Sequence, residues 1–264
     1  MPSPRPIRLG ILVPSSNTAL EPLTSALLSS LAQNEPPNPT NSITAHFSRF
    51  PVTEISLSSS AQSQFDLAPI LAAARLLADA HVDAIGWSGT SAGWLGLEAD
   101  RALCRAITEE TEVPCTTSVL GLCGILELLG VKEVGLVTPY LDEVQERIVG
   151  MFGEEGYEVV AESHLGKKVN VEFADIGEEV LDRQVEEVVG KMGKREGKMR
   201  VVSTFCTNLR AAQRVKTWES QYNDLIVLDT VATVVWEMLR MLEVDMSGIS
   251  GWGKIFKIDV QKPG

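Results

Sequence analysis

Apolar runs of strand length alternate with amphipathic segments of helix length along almost the whole chain. In the first half, strand candidates lie at residues 7–13, 44–50 and 83–87, and helical patterns lie at residues 18–32, 61–80 and 95–110. This alternation predicts parallel strands joined by right-handed helical crossovers, because a parallel strand can follow its neighbour only after a long return connection. We therefore predict an α/β fold.

The second half of the chain repeats this pattern. Its strand candidates lie at residues 133–138, 158–161, 200–205 and 224–228, and its helical patterns lie at residues 120–129, 141–152, 176–192 and 231–242, with one more helix after Thr207. The turns also match between the halves. Residues 10–16 and 134–140 both reach a proline with hydroxyl residues around it, and residues 84–91 and 201–208 both end in a small residue, a threonine and a polar residue.

Two matched halves predict two pseudo-symmetric domains, each a parallel sheet flanked by helices. We assign residues 1–117 and 229–264 to the first domain and residues 118–228 to the second. Ligands of open α/β sheets bind beyond the carboxyl ends of the strands. The active site is therefore expected in the cleft between the two domains.

Charge and composition narrow the class of partner. Lys and Arg number 23 against 35 Asp and Glu, a net charge of −12, and no basic stripe is present, so neither nucleic acid nor an anionic membrane is an expected partner. No apolar run reaches the roughly 20 residues of a membrane span, and the proline-rich start lacks the apolar core of a secretory signal. The 4 cysteines form no C-x-x-C pair and are expected to be reduced thiols in a cytoplasmic protein.

The sequence contains no pattern typical of a metal or nucleotide site. The 3 histidines, His46, His81 and His164, lie in three separate segments, and neither G-x-G-x-x-G nor a P-loop occurs. We therefore predict neither a metal site nor a bound nucleotide. Residues 120–129 are apolar enough for a helix buried between domains or between subunits, so a homo-oligomer is one expectation.

Three motifs resemble a known family. GILVPSSNTALEP at residues 10–22, TPYLDEV at 138–144 and STFCTNLR at 203–210 are similar to the maleate isomerase and arylmalonate decarboxylase branch of the aspartate/glutamate racemase superfamily. The resemblance extends from residue 9 to about residue 242. It implies two pseudo-symmetric α/β domains, an active site between them, and no metal or organic cofactor. Typical members place one cysteine in each half, on opposite sides of the substrate.

This chain departs from the family pattern at one position. Where racemases and maleate isomerases have Cys-Thr-Ser after the third strand, it has Gly89, Thr90 and Ser91, while the second cysteine is present as Cys206. A glycine at the first of these positions and a cysteine at the second is the arrangement found in arylmalonate decarboxylase, which this chain resembles here. A two-base racemase and an isomerase that uses the first cysteine as nucleophile are both disfavoured. We also expect that Gly89→Cys would add racemase-like or altered stereochemical behaviour.

The chemistry of decarboxylation favours the same reading. A malonate that loses CO2 needs donors for the enediolate that forms, and then a proton delivered to one face. We predict that Thr90, Ser91, Tyr140 and the backbone N–H of Thr207 hold the enediolate and that Cys206 protonates it. The predicted substrate-binding residues are Pro14, Ser15, Asn17, Gly89, Asn170, Thr207 and Asn208.

Several of these residues have a second interpretation. Asn17, Thr90 and Ser91 are also common at helix starts, Tyr140 could simply pack, and Cys206 could be an inert buried thiol. Whether Arg49, Asn170 or Arg210 reaches the substrate is left open. A helix start would favour the Cys206 thiolate, whereas a dianionic substrate would favour the thiol.

Three functions remain at this point. The first is a cofactor-independent decarboxylase of an α-substituted, arylmalonate-like dicarboxylate. The second is a maleate-type cis–trans isomerase, or a racemase, of the same superfamily. The third is a protein that binds a small dicarboxylate without catalysis.

Overall fold

A computed structural model describes residues 5–32, 42–193 and 199–258. Strands and helices alternate through the first half. Its elements are β1 (Ile7–Pro14), α1 (Leu20–Ala32), β2 (Ile43–Phe50), α2 (Ser59–Gln62), α3 (Leu67–Asp79), β3 (Ala84–Trp87), α4 (Ala92–Leu95), α5 (Leu97–Thr111), β4 (Cys115–Thr117) and α6 (Ser118–Leu129).

The second half has the same alternation. Its elements are β5 (Glu133–Thr138), α7 (Asp142–Glu154), β6 (Glu158–His164), α8 (Glu178–Met192), β7 (Arg200–Thr204), α9 (Val215–Gln221), β8 (Leu225–Asp229) and α10 (Thr230–Met241). Short 3-10 turns occur at Ser63–Phe65, Asn170–Asp175, Ala212–Arg214 and Lys254–Lys257.

The eight strands form two four-stranded sheets with equivalent topology. The strand orders are β2-β1-β3-β4 and β6-β5-β7-β8, and every named pair is parallel. The central strands β1, β3, β5 and β7 are buried along most of their lengths, as expected for sheets covered by helices on both faces. The predicted α/β architecture of two parallel sheets flanked by helices is confirmed.

Two predicted helices are each divided in the structure. The pattern at residues 61–80 becomes α2, a 3-10 turn and α3, because Pro69 has no N–H to donate and is tolerated only in the first turn of a helix. The pattern at residues 95–110 corresponds to α5, except that its first residue, Leu95, ends the short helix α4; the two helices meet at Gly96 with φ of 88°. Glycine adopts that left-handed conformation without strain.

Two other local predictions need correction. The three-residue strand β4 was missing from the predicted set because it is too short to show a period. The helix expected directly after Thr207 begins only at Val215, after a turn. The polar, proline-rich stretch at residues 33–41, for which the sequence predicts a loop, lies outside the described residues, as do residues 194–198.

The chain passes between the two sheets twice. Helix α6 follows β4 and packs against α10 and α5, and α10 follows β8 but also packs on α1, β3 and β4 of the first sheet. The predicted domain limits, residues 1–117 with 229–264 and residues 118–228, stay a prediction.

Close contacts join the two halves beside the strand ends. Helix α4 packs against α7, and a Cβ on Gly93 would lie 2.8 Å from Ile148 and from Phe205. An isolated antiparallel bridge pairs Glu54 with Val169. Within the described ranges, no helix has the length and hydropathy needed to cross a bilayer.

Candidate active site

A cleft of about 280 Å³, its open mouth included, lies where the carboxyl ends of the central strands of both sheets meet. Pro14 ends β1, Gly89 to Ser91 follow β3, Tyr140 follows β5, and Cys206 with Thr207 follows β7. The remaining lining residues are Val52, Ile55, Phe65, Trp87, Trp94 and Asn170. The four predicted catalytic residues, Thr90, Ser91, Tyr140 and Cys206, therefore line one cleft.

The Cys206 side chain is a neutral thiol at ordinary pH. The residue is 2% exposed, and burial raises its pKa to about 12, despite the opposing hydrogen bonds from Tyr140 and from the backbone N–H groups of Asn208 and Leu209. The turn after β7 does not begin a helix, so no helix dipole stabilises a thiolate there. Cys206 is thus equipped to donate a proton.

Asp229 is an electrostatic neighbour of Cys206 that the sequence reading missed. It ends β8 and caps α10, where its carboxylate accepts hydrogen bonds from Thr204 Oγ1 at 2.7 Å and from the N–H groups of Val231 and Ala232. Burial raises the Asp229 pKa to about 6, and its negative charge raises the pKa of Cys206 further. An Asp directly before a helix was the available signal, because Asp is a common N-cap.

Tyr140 and Thr90 form a pair of hydroxyls in the cleft. Tyr140 Oη and Thr90 Oγ1 lie 2.8 Å apart, and both side chains are buried. Burial holds the Tyr140 pKa well above its usual value, and the adjacent Cys206 raises it further. The phenol therefore stays protonated and can donate a hydrogen bond. Its ring packs edge-on against Trp94 and Phe173, with centroids 5.7 Å apart in each pair.

Ser91 has a buried partner on the strand before it. Trp87 Nε1 donates a hydrogen bond to Ser91 Oγ at 3.2 Å. The Trp87 indole is 1% exposed and packs against Phe50 with ring centroids 4.9 Å apart. Both tryptophans that flank the Gly-Thr-Ser turn, Trp87 and Trp94, line the cleft.

Gly89 is a glycine for reasons of space. Its φ lies outside the left-handed region, so its backbone conformation is open to other residues. A Cβ on Gly89 would lie 2.1 Å from Cζ2 and 2.3 Å from Cε2 of Trp87, well inside van der Waals contact. A cysteine at position 89 therefore requires the Trp87 indole to move, and the expectation that Gly89→Cys adds racemase-like or altered stereochemical behaviour stays a prediction.

Two predicted substrate-binding residues, Asn17 and Ser15, are absent from the cleft lining and support the turns around it. Asn17 Oδ1 caps α1 through the N–H groups of Ala19 and Leu20, and Asn17 Nδ2 donates to Thr207 Oγ1 at 3.2 Å. Ser15 Oγ exchanges hydrogen bonds with the backbone of Val52. Direct contact of these side chains with substrate stays a prediction.

Asn208 joins the two halves of the site. Its Oδ1 accepts hydrogen bonds from the N–H groups of Thr18 and Ala19, at 3.0 and 3.2 Å, and its Nδ2 donates to the backbone oxygen of Asn170. Asn208 is 1% exposed. Its contacts fix the turn after β7 against the start of α1.

Of Arg49, Asn170 and Arg210, whose contact with substrate was left open, Asn170 lines the cleft. Its Nδ2 donates to Ser16 Oγ at 2.8 Å, and its backbone N–H donates to Thr53. Arg49 instead binds Glu21 and the backbone oxygens of Ser15 and Asn17. Arg210 is exposed and is absent from the cleft lining.

The cleft has sulfur on one side only. Of the four cysteines, only Cys206 is among the lining residues given above, and these include no histidine. His164, at the end of the outer strand β6, forms hydrogen bonds with Glu162 on the same strand and with Asp142 at the start of α7. Across the described ranges, no group of three or more His, Cys, Asp or Glu side chains is arranged to hold a metal ion.

The loop after Phe50 was expected to supply pocket-lining residues, although its shape could not be derived from the sequence, and the segment between β2 and α3 does line the cleft. It supplies Val52, Ile55 and Phe65, and the Ile55 N–H donates to the backbone oxygen of Lys168 in the other half. Residues 51–58 have no strand or helix periodicity, so the position of this part of the segment depends on the long-range contact. Only its apolar residues between polar neighbours hinted at burial.

Comparisons with known proteins agree with this geometry. A profile of the arylmalonate decarboxylase family matches residues 27–256. A maleate isomerase from Pseudomonas putida is 27% identical over 246 residues, covering 90% of this chain and 92% of that protein. An arylmalonate decarboxylase from Bordetella bronchiseptica is 36% identical over 83 residues, covering 31% of this chain and 35% of that protein.

A solved structure shares the fold. It is a cysteine-to-serine mutant of the Nocardia farcinica maleate cis-trans isomerase with a covalently bound succinylcysteine intermediate. It superposes with a TM-score of 0.81 at 21% identity, covering 95% of this chain and 98% of that one.

Proposed function

The chain belongs to the arylmalonate decarboxylase family, and from that membership and the cleft we propose that it is a cofactor-free decarboxylase of an α-substituted malonate. The observation that carries the proposal is the one-sided cleft. Cys206 is a neutral thiol on one wall, and Gly89, covered by the Trp87 indole, forms the other. Such a site can deliver a proton to one face of a planar intermediate.

The first step would break one carbon–carbon bond. The bond between the α-carbon and one carboxylate breaks, CO2 leaves, and the electron pair stays on the α-carbon as an enediolate with the remaining carboxylate. The hydroxyls of Thr90, Ser91 and Tyr140 and the N–H of Thr207 would donate to its oxygens. Each well-placed donor contributes about 3 kcal/mol to stabilising such a charge.

The second step would return a proton. The Cys206 thiol donates its proton to the α-carbon, so a C–H bond forms and a thiolate is left. Because burial and Asp229 both raise the Cys206 pKa, this thiolate is unstable and regains a proton from water. The net reaction is a dicarboxylate plus a proton giving CO2 and a monocarboxylate.

A maleate cis–trans isomerase is the second candidate. The maleate isomerase from Pseudomonas putida matches over far more of the chain than the decarboxylase from Bordetella bronchiseptica does. This route would need a cysteine to add to the double bond, as the succinylcysteine of the Nocardia farcinica protein illustrates for that enzyme. Cys206 would have to be that nucleophile, yet its raised pKa keeps it as the thiol, the weaker nucleophile.

A substrate panel separates these functions. Purified protein is incubated separately with methylmalonate, an α-methyl-α-arylmalonate and maleate, and CO2, monocarboxylate and fumarate are followed by NMR. We expect CO2 and monocarboxylate from at least one malonate and no fumarate. Fumarate from maleate without CO2 from any malonate would overturn the proposal in favour of isomerisation.

Calorimetry in parallel tests the non-catalytic alternative. Saturable binding of the same dicarboxylates, with no product after hours, would identify a carboxylate-binding protein instead. A Cys206→Ala sample serves as the control, since it should bind ligand and yield no product under the proposed mechanism.

A further inference from the structure

We propose that Trp87 is a positioning residue for the decarboxylation, acting through both of its neighbours, Gly89 and Ser91. The inference deepens the proposed function and rests on it for the catalytic part. The Trp87 ring lies where a Cβ on Gly89 would be, because side chains two residues apart in an extended chain lie on the same side. Its Nε1 reaches Ser91 Oγ in the following turn.

The first role of Trp87 is steric. Its six-membered ring occupies the space that any side chain on residue 89 would need, with Cζ2, Cε2 and Cη2 at 2.1, 2.3 and 2.6 Å from an added Cβ. Phe50 packs against the indole and holds it in this place. Position 89 of the cleft lining is thus kept free of a second proton donor by an aromatic ring.

The second role is to orient a proton. A tryptophan N–H can only donate, so Ser91 Oγ must be the acceptor in the Trp87–Ser91 hydrogen bond. Within the part of the chain that the structure describes, no acceptor is recorded for the Ser91 hydroxyl proton. Because Ser91 lines the cleft, its proton is available to an oxygen of the bound substrate. Trp87 thereby makes Ser91 a hydrogen-bond donor where negative charge would develop.

A double-mutant cycle tests the second role. Trp87→Phe keeps an aromatic ring and removes the N–H, and we expect kcat to fall roughly tenfold with KM changed less than about threefold. In a Ser91→Ala background the same substitution should have little further effect on kcat. An equal loss in both backgrounds, or none in either, would overturn the positioning role.

A stability measurement tests the steric role without any need for activity. Gly89→Ala should lower Tm by about 3 °C or more, because the indole must shift. Gly150→Ala is the matched control, since a Cβ on Gly150 in α7 meets no atom within 4 Å, and its Tm should not fall. In a Trp87→Leu background the Gly89→Ala penalty should shrink to less than half.

The two arms separate the two ways of failing. A Gly89→Ala penalty that persists in the Trp87→Leu background, or one no larger than that of Gly150→Ala, would overturn the steric role. Absence of decarboxylation in the unmodified protein would refute the proposed function instead, while the Tm comparison would still decide whether Trp87 fills the space beside Gly89.

Discussion

Thr90 Oγ1 and Tyr140 Oη lie 2.8 Å apart, although Thr90 follows β3 of the first sheet and Tyr140 follows β5 of the second. This hydrogen bond joins the two halves at the centre of the cleft. It also sets two neutral donors beside the thiol of Cys206. Neutral donors suit an anionic intermediate, because they stabilise charge as it develops without carrying a charge that the substrate must neutralise.

Removal of one of these hydroxyls tests the oxyanion pocket. Tyr140→Phe should lower kcat by about a hundredfold while changing KM less than about threefold, because the lost donor acts mainly on the developing charge. Steady-state kinetics on the best malonate measures this. Tyr157→Phe is the control, because the Tyr157 hydroxyl donates to the backbone oxygen of Cys123, outside the cleft. Equal kinetics for Tyr140→Phe and the unmodified protein would argue against a role for the phenol.

Replacement of the thiol tests the proton donor. Cys206→Ala should reduce turnover by at least about a thousandfold and leave ligand binding and the circular dichroism spectrum unchanged. Cys123→Ala, a thiol on α6 outside the cleft lining, should keep nearly full activity. Near-normal turnover in Cys206→Ala would show that another group delivers the proton.

The raised pKa of Cys206 predicts a particular pH dependence of its alkylation. The iodoacetamide reaction at Cys206, followed by mass spectrometry, should still be rising about tenfold per pH unit between pH 8 and 10, because the thiol pKa is about 12. Asp229→Asn removes a charge that raises this pKa, so it should speed the reaction at each pH. Asp245→Asn, at an exposed position, should not. A rate that levels off by pH 8 would indicate a thiolate in the resting protein.

The burial of Asp100 predicts that the free energy of unfolding depends on pH. It is buried beside Thr117, which donates to it, and burial raises its pKa from 3.8 to about 7. Because the folded pKa exceeds the unfolded one, the folded state binds more protons between pH 4 and 7, and this carboxyl lowers stability as pH rises through that range. The cost is complete above pH 7 and corresponds to roughly 4 kcal/mol.

The variant Asp100→Asn should remove that cost. Its carbonyl oxygen can still accept from Thr117, so its unfolding free energy relative to the unmodified protein should rise from pH 4 to 7 and then level off. Urea denaturation at pH 5, 6, 7 and 8 measures this difference. Asp79→Asn, at an exposed position, is the control. A difference that does not change with pH would mean that Asp100 is already ionised in the folded protein at pH 5.

The hydrogen bonds of Asn208 predict how much this residue contributes to the free energy of unfolding by joining the two halves. Asn208→Ala leaves the N–H groups of Thr18 and Ala19 and the backbone oxygen of Asn170 without its amide. We expect the free energy of unfolding to fall by about 1–3 kcal/mol, mainly because the buried backbone oxygen of Asn170 loses the Asn208 donor, whereas the Ala19 N–H keeps Asn17 Oδ1 as an acceptor. Asn223→Ala, at an exposed position, should change it by less than about 0.5 kcal/mol. Equal stability for the two variants would exclude this contribution.

The sequence predicted those parts of the site that follow from strand ends. Thr90, Ser91, Tyr140 and Cys206 could be placed together because parallel strands end at the same edge, and they do line one cleft. The segment carrying Val52, Ile55 and Phe65 could not be placed, because its position depends on contacts with the other half. The position of the Trp87 ring depends on its side-chain rotamer, which the sequence does not specify. The neutral state of Cys206 depends on its burial in the folded protein, which the neighbouring residues in the sequence do not reveal.

The late return of the chain to its first sheet has a consequence for biosynthesis. The strands of the second sheet are contiguous, from β5 to β8, whereas the first sheet still lacks α10, which packs on β3 and β4, until residue 241 has been made. On the ribosome, the strands of the C-terminal sheet can therefore pair with one another before α10 is available to cover the apolar surface of β3 and β4. A truncation before Thr230 would expose that surface and favour aggregation.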